Sequence, residues 1–278
     1  MGETTKKVLA VSAAAAAFWA LAMKPRTKYG SDLAAIARYD YANGGLHDFY
    51  KRIPEHSLPA VRKAMVSGYA VKLDIRLTKD GVPIAFSDHE LWRVCGADGS
   101  VEETSWKGIK DLNLQETEET VCTLEDMLNK IDTAVPVILN LISWRDNYGS
   151  LCSCVSDTLE LYDGVYAIES PDYRVLRWFK QYEPEVLRGQ IYEKKTYNGR
   201  DLYGTLKCFL QNFLMTNFVS SPDFIAVDFY DRNSISLRIC KRLYNVPVVY
   251  FNVTAEDEYE SARQDDAIVV FENIEPGE

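Results

Sequence analysis

Apolar and polar residues alternate over residues 69–77, placing Val71, Leu73, Ile75 and Leu77 on one side and Lys72, Asp74 and Arg76 on the other. That period of two predicts a strand with one charged face. Upstream, Leu58, Val61, Ala64 and Met65 recur at helical spacing behind Pro54, Glu55 and Ser57, and Gly68 ends the run. Downstream, Lys79-Asp80-Gly81 predicts a tight turn and residues 82–86 a returning strand. Charged side chains on the inner face of a strand flanked by helices mark a site.

The two periods alternate along the rest of the chain. Strands are predicted at 37–42, 136–142, 165–170, 186–191, 222–228, 246–253 and 267–271. Between them lie helical patterns at 31–38, from Thr123 onward, and at 151–161, 173–182, 202–218, 235–244 and 256–263. Thr123 with Glu125 and Asp126 reads as a capped, acidic helix start. The aromatic stripe within 202–218 reads as core. Residues 91–121 are polar and irregular, and 192–198 form a polar loop. Asn140 interrupts an otherwise apolar strand, as a satisfied core amide or as the remnant of a site. Strand ends place Glu169 and Asp228 where substrate-binding groups would stand. No repeat of fixed length and no low-complexity linker divides the chain.

Composition narrows the classes. A hydrophobic content of 47% with 26% charged residues is that of a folded α/β domain. The net charge of −10 and pI near 5.0 argue against nucleic acid as a partner, and an acidic surface would be repelled by anionic lipid. Six scattered cysteines in a chain of 278 residues read as isolated core thiols rather than a disulfide framework. Residues 8–23 carry no charge, follow Lys6-Lys7 and include five consecutive alanines. The run is short of the roughly 20 residues of a spanning helix, yet a membrane anchor is the expectation, with a signal peptide cleaved after Ala20-Leu21-Ala22 as the alternative. Lys24, Arg26 and Lys28 on the following side leave the orientation open. The expected division is therefore an anchor or signal segment over 1–28 and a single domain over 29–278.

The segment LTKDGVP at residues 77–83, with Pro54-Glu55 before it and Ser87-Asp88 after it, resembles the glycerophosphodiester phosphodiesterase family, in particular its small bacterial-type members with a membrane anchor. The likeness extends from about Tyr39 to Pro276. It implies a TIM-type (β/α)₈ barrel that hydrolyses glycerophosphodiesters to sn-glycerol 3-phosphate and an alcohol. Two histidines would act as acid and base, beside a carboxylate-bound Ca²⁺ or Mg²⁺.

The chain departs from the family pattern at nearly every chemical position. Asn43-Gly44-Gly45 stands where the family has His-Arg-Gly, and Ser87 replaces the second histidine. Glu55 and Asp74 match metal carboxylates, but His56 replaces an asparagine, Lys72 replaces a glutamate, and Asn140-Leu141-Ile142 replaces a Glu-x-Lys strand. Of the family's carboxylates there remain Glu55, Asp74 and Asp88. Phe251 stands near the family's usual tryptophan. His47 and His89 read as surface residues and His56 as unpartnered near the mouth. The expectation is a barrel without catalysis or a metal, held at the membrane and binding a phospholipid head group or a protein; the alternative is an active phosphodiesterase. Lys72 would take the metal's place between Glu55 and Asp74.

Overall fold

The computed structural model describes residues 3–26, 30–194 and 202–277. The chain opens with α1 (Glu3–Ala22) and α2 (Ser31–Ile36), then β1 (Tyr41–Asn43), α3 (Leu58–Val66), β2 (Ala70–Leu77) and β3 (Pro83–Ala85). Short helices α4 (Trp92–Cys95) and α5 (Trp106–Ile109) precede α6 (Leu124–Ile131) and β4 (Val137–Leu141). Next come α7 (Tyr148–Leu159), β5 (Tyr166–Ser170), α8 (Tyr173–Tyr182), β6 (Leu187–Tyr192), α9 (Leu202–Asn212) and α10 (Asn217–Ser220). The chain ends with β7 (Phe224–Asp228), α11 (Ile235–Tyr244), β8 (Val248–Val253), α12 (Glu256–Gln264) and β9 (Ile268–Phe271). The predicted loop residues 195–198 and the predicted boundary at 28–29 lie outside the described residues.

Eight parallel strands close on themselves in the order β1-β9-β8-β7-β6-β5-β4-β2, because β1 also pairs with β2. Helices surround them, giving a TIM barrel. The ninth strand, β3, is the predicted hairpin return and runs antiparallel to β2. Every residue of β2 is buried, since its apolar face packs against helices and its charged face points into the barrel. Inside, small and large residues alternate across neighbouring strands: a Cβ at Gly189 would lie 2.1 Å from the ring of Phe224 on the adjoining strand.

The helix starts follow their sequence signals. Ser57 accepts a hydrogen bond from the Ala60 N–H at the start of α3, and Thr123 forms a reciprocal capping box with Asp126 at α6. Two predictions need correction. Residues 91–121 are not merely irregular, because Leu91, Val94, Val101, Ile109, Leu114 and Val121 build a small second core with Ile84 and Phe86. The predicted long helix at 202–218 is broken into α9 and α10 where Leu214 takes φ +54°. Its stripe is also not core: Leu202, Leu206 and Phe209 are 84%, 52% and 49% exposed.

Alpha-helix α1 stands away from the barrel for most of its length. It is the one helix, among the described residues, long and apolar enough to cross a membrane. Only its last turn is packed. Trp19 donates to the Phe213 carbonyl at 2.9 Å, Tyr244 donates to the Ala20 carbonyl, and Met23 is fully buried. All six cysteines are free thiols, and burial raises Cys152 and Cys240 above the ordinary range, to about 12 for Cys240.

Candidate functional site at the barrel mouth

Strand register gathers the predicted residues. Asn43 lies opposite Lys72, Asp74 opposite Asn140, and Asn140 opposite Glu169, so inward-facing polar groups from four consecutive strands form one layer. Further round, Asp228 lies opposite Phe251. The loops that follow β1 and β3 add Gly44, Glu55, His56, Ser87 and Asp88 above that layer.

The cations of this layer are the chain's own. Lys72 Nζ is 2.8 Å from Glu169 Oε1, and Glu169 is completely buried. The same ammonium lies 5.0 Å from the centre of the Phe251 ring, a cation–π contact. Burial alone would lower the Lys72 pKa, but Glu169 and then Asp74 reverse that and raise it above its ordinary 10.5. Lys72 is therefore charged, and its partner is Glu169 rather than the expected pair of Glu55 and Asp74. Glu55 is instead held by Arg93 of α4, whose Nη2 stands 2.5 Å from Glu55 Oε1 while its Nε donates to Asp88. Arg93 has no signature in the sequence, because a four-residue helix is too short to show a period.

Asp74 is held from two sides. Asn140 donates its amide N–H to Oδ1 at 2.8 Å, and His56 Nε2 lies 3.7 Å from Oδ2. Burial works to raise the Asp74 carboxyl, but the nearby His56 ring, followed by Lys72 and Asn140, holds it well below the usual carboxylate range. Glu272, just beyond β9, accepts from Asn43 Nδ2 at 3.0 Å. Sequence reasoning missed Glu272, although its place after the last strand was the available signal. Asp228 sits at the mouth as expected, accepting from Asn252 at 2.6 Å and from the Tyr230 N–H at 2.8 Å.

The three histidines differ from expectation. His56 is 3% exposed and its Nε2 lies 2.9 Å from Ser87 Oγ, so it is neither exposed nor unpartnered. Its ring fills the space beside Gly44, where a Cβ would stand 3.3 Å from Nε2. His89 is half-buried, stacked on Trp144 at 3.8 Å between ring centres, with Nδ1 2.6 Å from Glu102. Arg76 binds the other oxygen of Glu102 at 2.8 Å. His47 is half-buried, and burial lowers its pKa against the opposing pull of Glu272 and Glu55.

A Ser–His–Asp relay needs the carboxylate on one ring nitrogen and the hydroxyl on the other. Here the same Nε2 faces both Ser87 and Asp74, while Nδ1 is buried without a hydrogen-bond partner. A carboxylate 3.7 Å away favours the proton on Nε2, which then donates to Ser87 and takes no proton from it.

Nor does this donor set fit a Ca²⁺ or Mg²⁺ ion. Such ions take six or more oxygen ligands, whereas here an ammonium, a guanidinium and an amide N–H already point at Glu169, Glu55 and Asp74. Among the described residues, no three His, Cys, Asp or Glu side chains are grouped to hold a metal.

A model of the "Glycerophosphoryl diester phosphodiesterase family" matches residues 49–260. Curated relatives include the uncharacterized protein YqiK of Bacillus subtilis, 25% identical over 48% of this chain and 50% of that protein. Rat glycerophosphodiester phosphodiesterase 1 is 34% identical over 33% of this chain and 24% of its own length. The match thus spans half or less of these relatives. Among solved structures, a phosphodiesterase from Oleispira antarctica, in complex with sn-glycerol-3-phosphate, is similar with a TM-score of 0.68. It is 20% identical, and the match covers 84% of this chain and 92% of that one. The glycerophosphodiester phosphodiesterase of Thermotoga maritima gives a TM-score of 0.63 at 15% identity, over 84% and 93% of the two chains.

Proposed function

The chain belongs to the glycerophosphoryl diester phosphodiesterase family, and from that premise we propose that it has kept the family barrel without the hydrolysis. In this reading it is a non-catalytic binding or scaffolding protein, held at a membrane by α1, that takes a phospholipid head group or a protein partner at the barrel mouth. The observation that carries the reading is the Lys72–Glu169 ion pair at 2.8 Å, a protein cation fixed in the layer where the family resemblance calls for a metal. The family's two histidine positions hold Asn43 and Ser87, neither of which titrates near neutrality. Acid–base catalysis of about 10²–10⁴-fold per group is therefore without its agents.

The test is release of sn-glycerol 3-phosphate from glycerophosphocholine and glycerophosphoethanolamine by the purified full chain, with Ca²⁺ or Mg²⁺ added. No release above the buffer control is expected. Turnover within about a hundredfold of ordinary enzymes, for which kcat is roughly 1–10³ s⁻¹, would overturn the proposal. The second reading, an active phosphoric diester hydrolase, draws on the family match and needs His56 in the other tautomer, taking the Ser87 proton across their 2.9 Å contact. Under it, Ser87→Ala would abolish a measurable activity.

A further inference from the structure

The aromatic and aliphatic stripe of α9 was expected inside the protein and lies outside it. Leu206 and Phe209 are half-exposed, and across the exit of α1 the side chains of Ile235 and Leu243 on α11 are 68% and 54% exposed. Nothing among the described residues covers them. Neither α9 nor α11 contains an aspartate or glutamate, although the whole chain has 41. Instead α11 carries Arg238 and Arg242, both exposed, beside its apolar side chains. In a chain of net charge −10, this face is apolar and positive.

The same face is where α1 joins the barrel. Trp19 is bonded to Phe213 just beyond α9, and Tyr244 at the end of α11 is bonded to Ala20. The Met23 carbonyl accepts from Asn217 at 2.9 Å, and the Arg26 N–H donates to the Pro222 carbonyl at 2.7 Å. No free linker separates the apolar helix from these contacts, so the barrel does not swing independently of α1. With α1 across a bilayer, the face around its exit is held at the lipid surface.

We propose that the α9–α11 face of the barrel lies on the bilayer into which α1 inserts, its apolar side chains entering the head-group region and its arginines meeting anionic lipid. The proposal rests on α1 being a membrane anchor. Apolar side chains flanked by basic ones are the chemistry that a lipid interface selects, and the overall negative charge leaves the other faces repelled from it.

The test uses the full chain in nanodiscs of phosphatidylcholine and phosphatidylglycerol. The photo-crosslinker p-benzoylphenylalanine is placed at Val11, Leu206, Leu243 or Tyr50, one position at a time, and adducts are identified by mass spectrometry. Tyr50 is 95% exposed on the loop after β1 and reports the aqueous side. Lipid adducts are expected at Val11, and at Leu206 and Leu243 several-fold above Tyr50. Adducts at Val11 with Leu206 and Leu243 no higher than Tyr50 would overturn the docked face and leave the anchor standing. Absence of adducts at Val11 would remove the anchor and this proposal together. Protein–protein adducts at Leu206 or Leu243 in place of lipid would assign the face to a second copy and overturn it as well.

Discussion

Lys72 and Glu169 are the residues on which the mouth depends most. Glu169 is 0% exposed and its ion partner is Lys72, so removing the ammonium leaves a buried charge uncompensated. Lys72→Met should cost about 3–5 kcal/mol, as the breaking of a buried pair typically does. Adding Glu169→Gln removes the orphaned charge, and the double variant should recover more than half of that loss. Chemical unfolding of the full chain in detergent reads both numbers; a single-variant cost below about 1 kcal/mol would mean that water reaches the pair. Titration gives a second test. Asp74 is depressed below its ordinary 3.8, so its contribution is complete above that pH and is lost as pH falls through the folded value. Lys72 is raised above 10.5, so its contribution is present below that pH and is lost as pH climbs through its folded value. Melting temperature should therefore fall at both ends, with Asp74→Asn flattening the acid limb and Lys72→Met the alkaline one.

At the scale of elements, the loop after β1 is fixed by a close approach. Gly45 has φ +83°, and a Cβ there would stand 2.6 Å from the Ala60 carbonyl carbon at the start of α3. Gly45→Ala should cost more than the roughly 1–2 kcal/mol of a left-handed backbone alone, because backbone must also move. A shift in melting temperature too small for that cost would show that the loop relaxes freely. The elements themselves were largely legible. The alternation in residues 69–77 placed Lys72, Asp74 and Arg76 inward, where β2 has them buried, and the helices predicted at 173–182 and 235–244 match α8 and α11. What stayed hidden has physical causes. Helical spacing says which side of α9 is apolar and not what covers it. Arg93 reaches Glu55 and Asp88 from a helix of one turn, which leaves no periodic trace. The partner of Lys72 is set by the neighbouring strands β4 and β5, and no single-strand pattern carries that register.

The whole molecule is a barrel of its family whose interior carboxylates are met by the chain's own groups, although Glu169 Oε2 is buried without a hydrogen-bond partner. Glu169 is paired with Lys72, Glu55 and Asp88 with Arg93, Asp74 with Asn140 and His56, and Glu272 with Asn43. Parallel strands bring these groups into one layer whether or not they catalyse. We propose that the protein's own cations and amides occupy the place of the divalent ion. This is tested most directly by calorimetric titration of the full chain with Ca²⁺ and with Mg²⁺. No saturable heat is expected up to millimolar ion, a level corresponding to about −4 kcal/mol of binding. A one-to-one isotherm well below millimolar, weakened by Asp74→Asn or Glu55→Gln, would contradict it and return the mouth to metal-dependent chemistry.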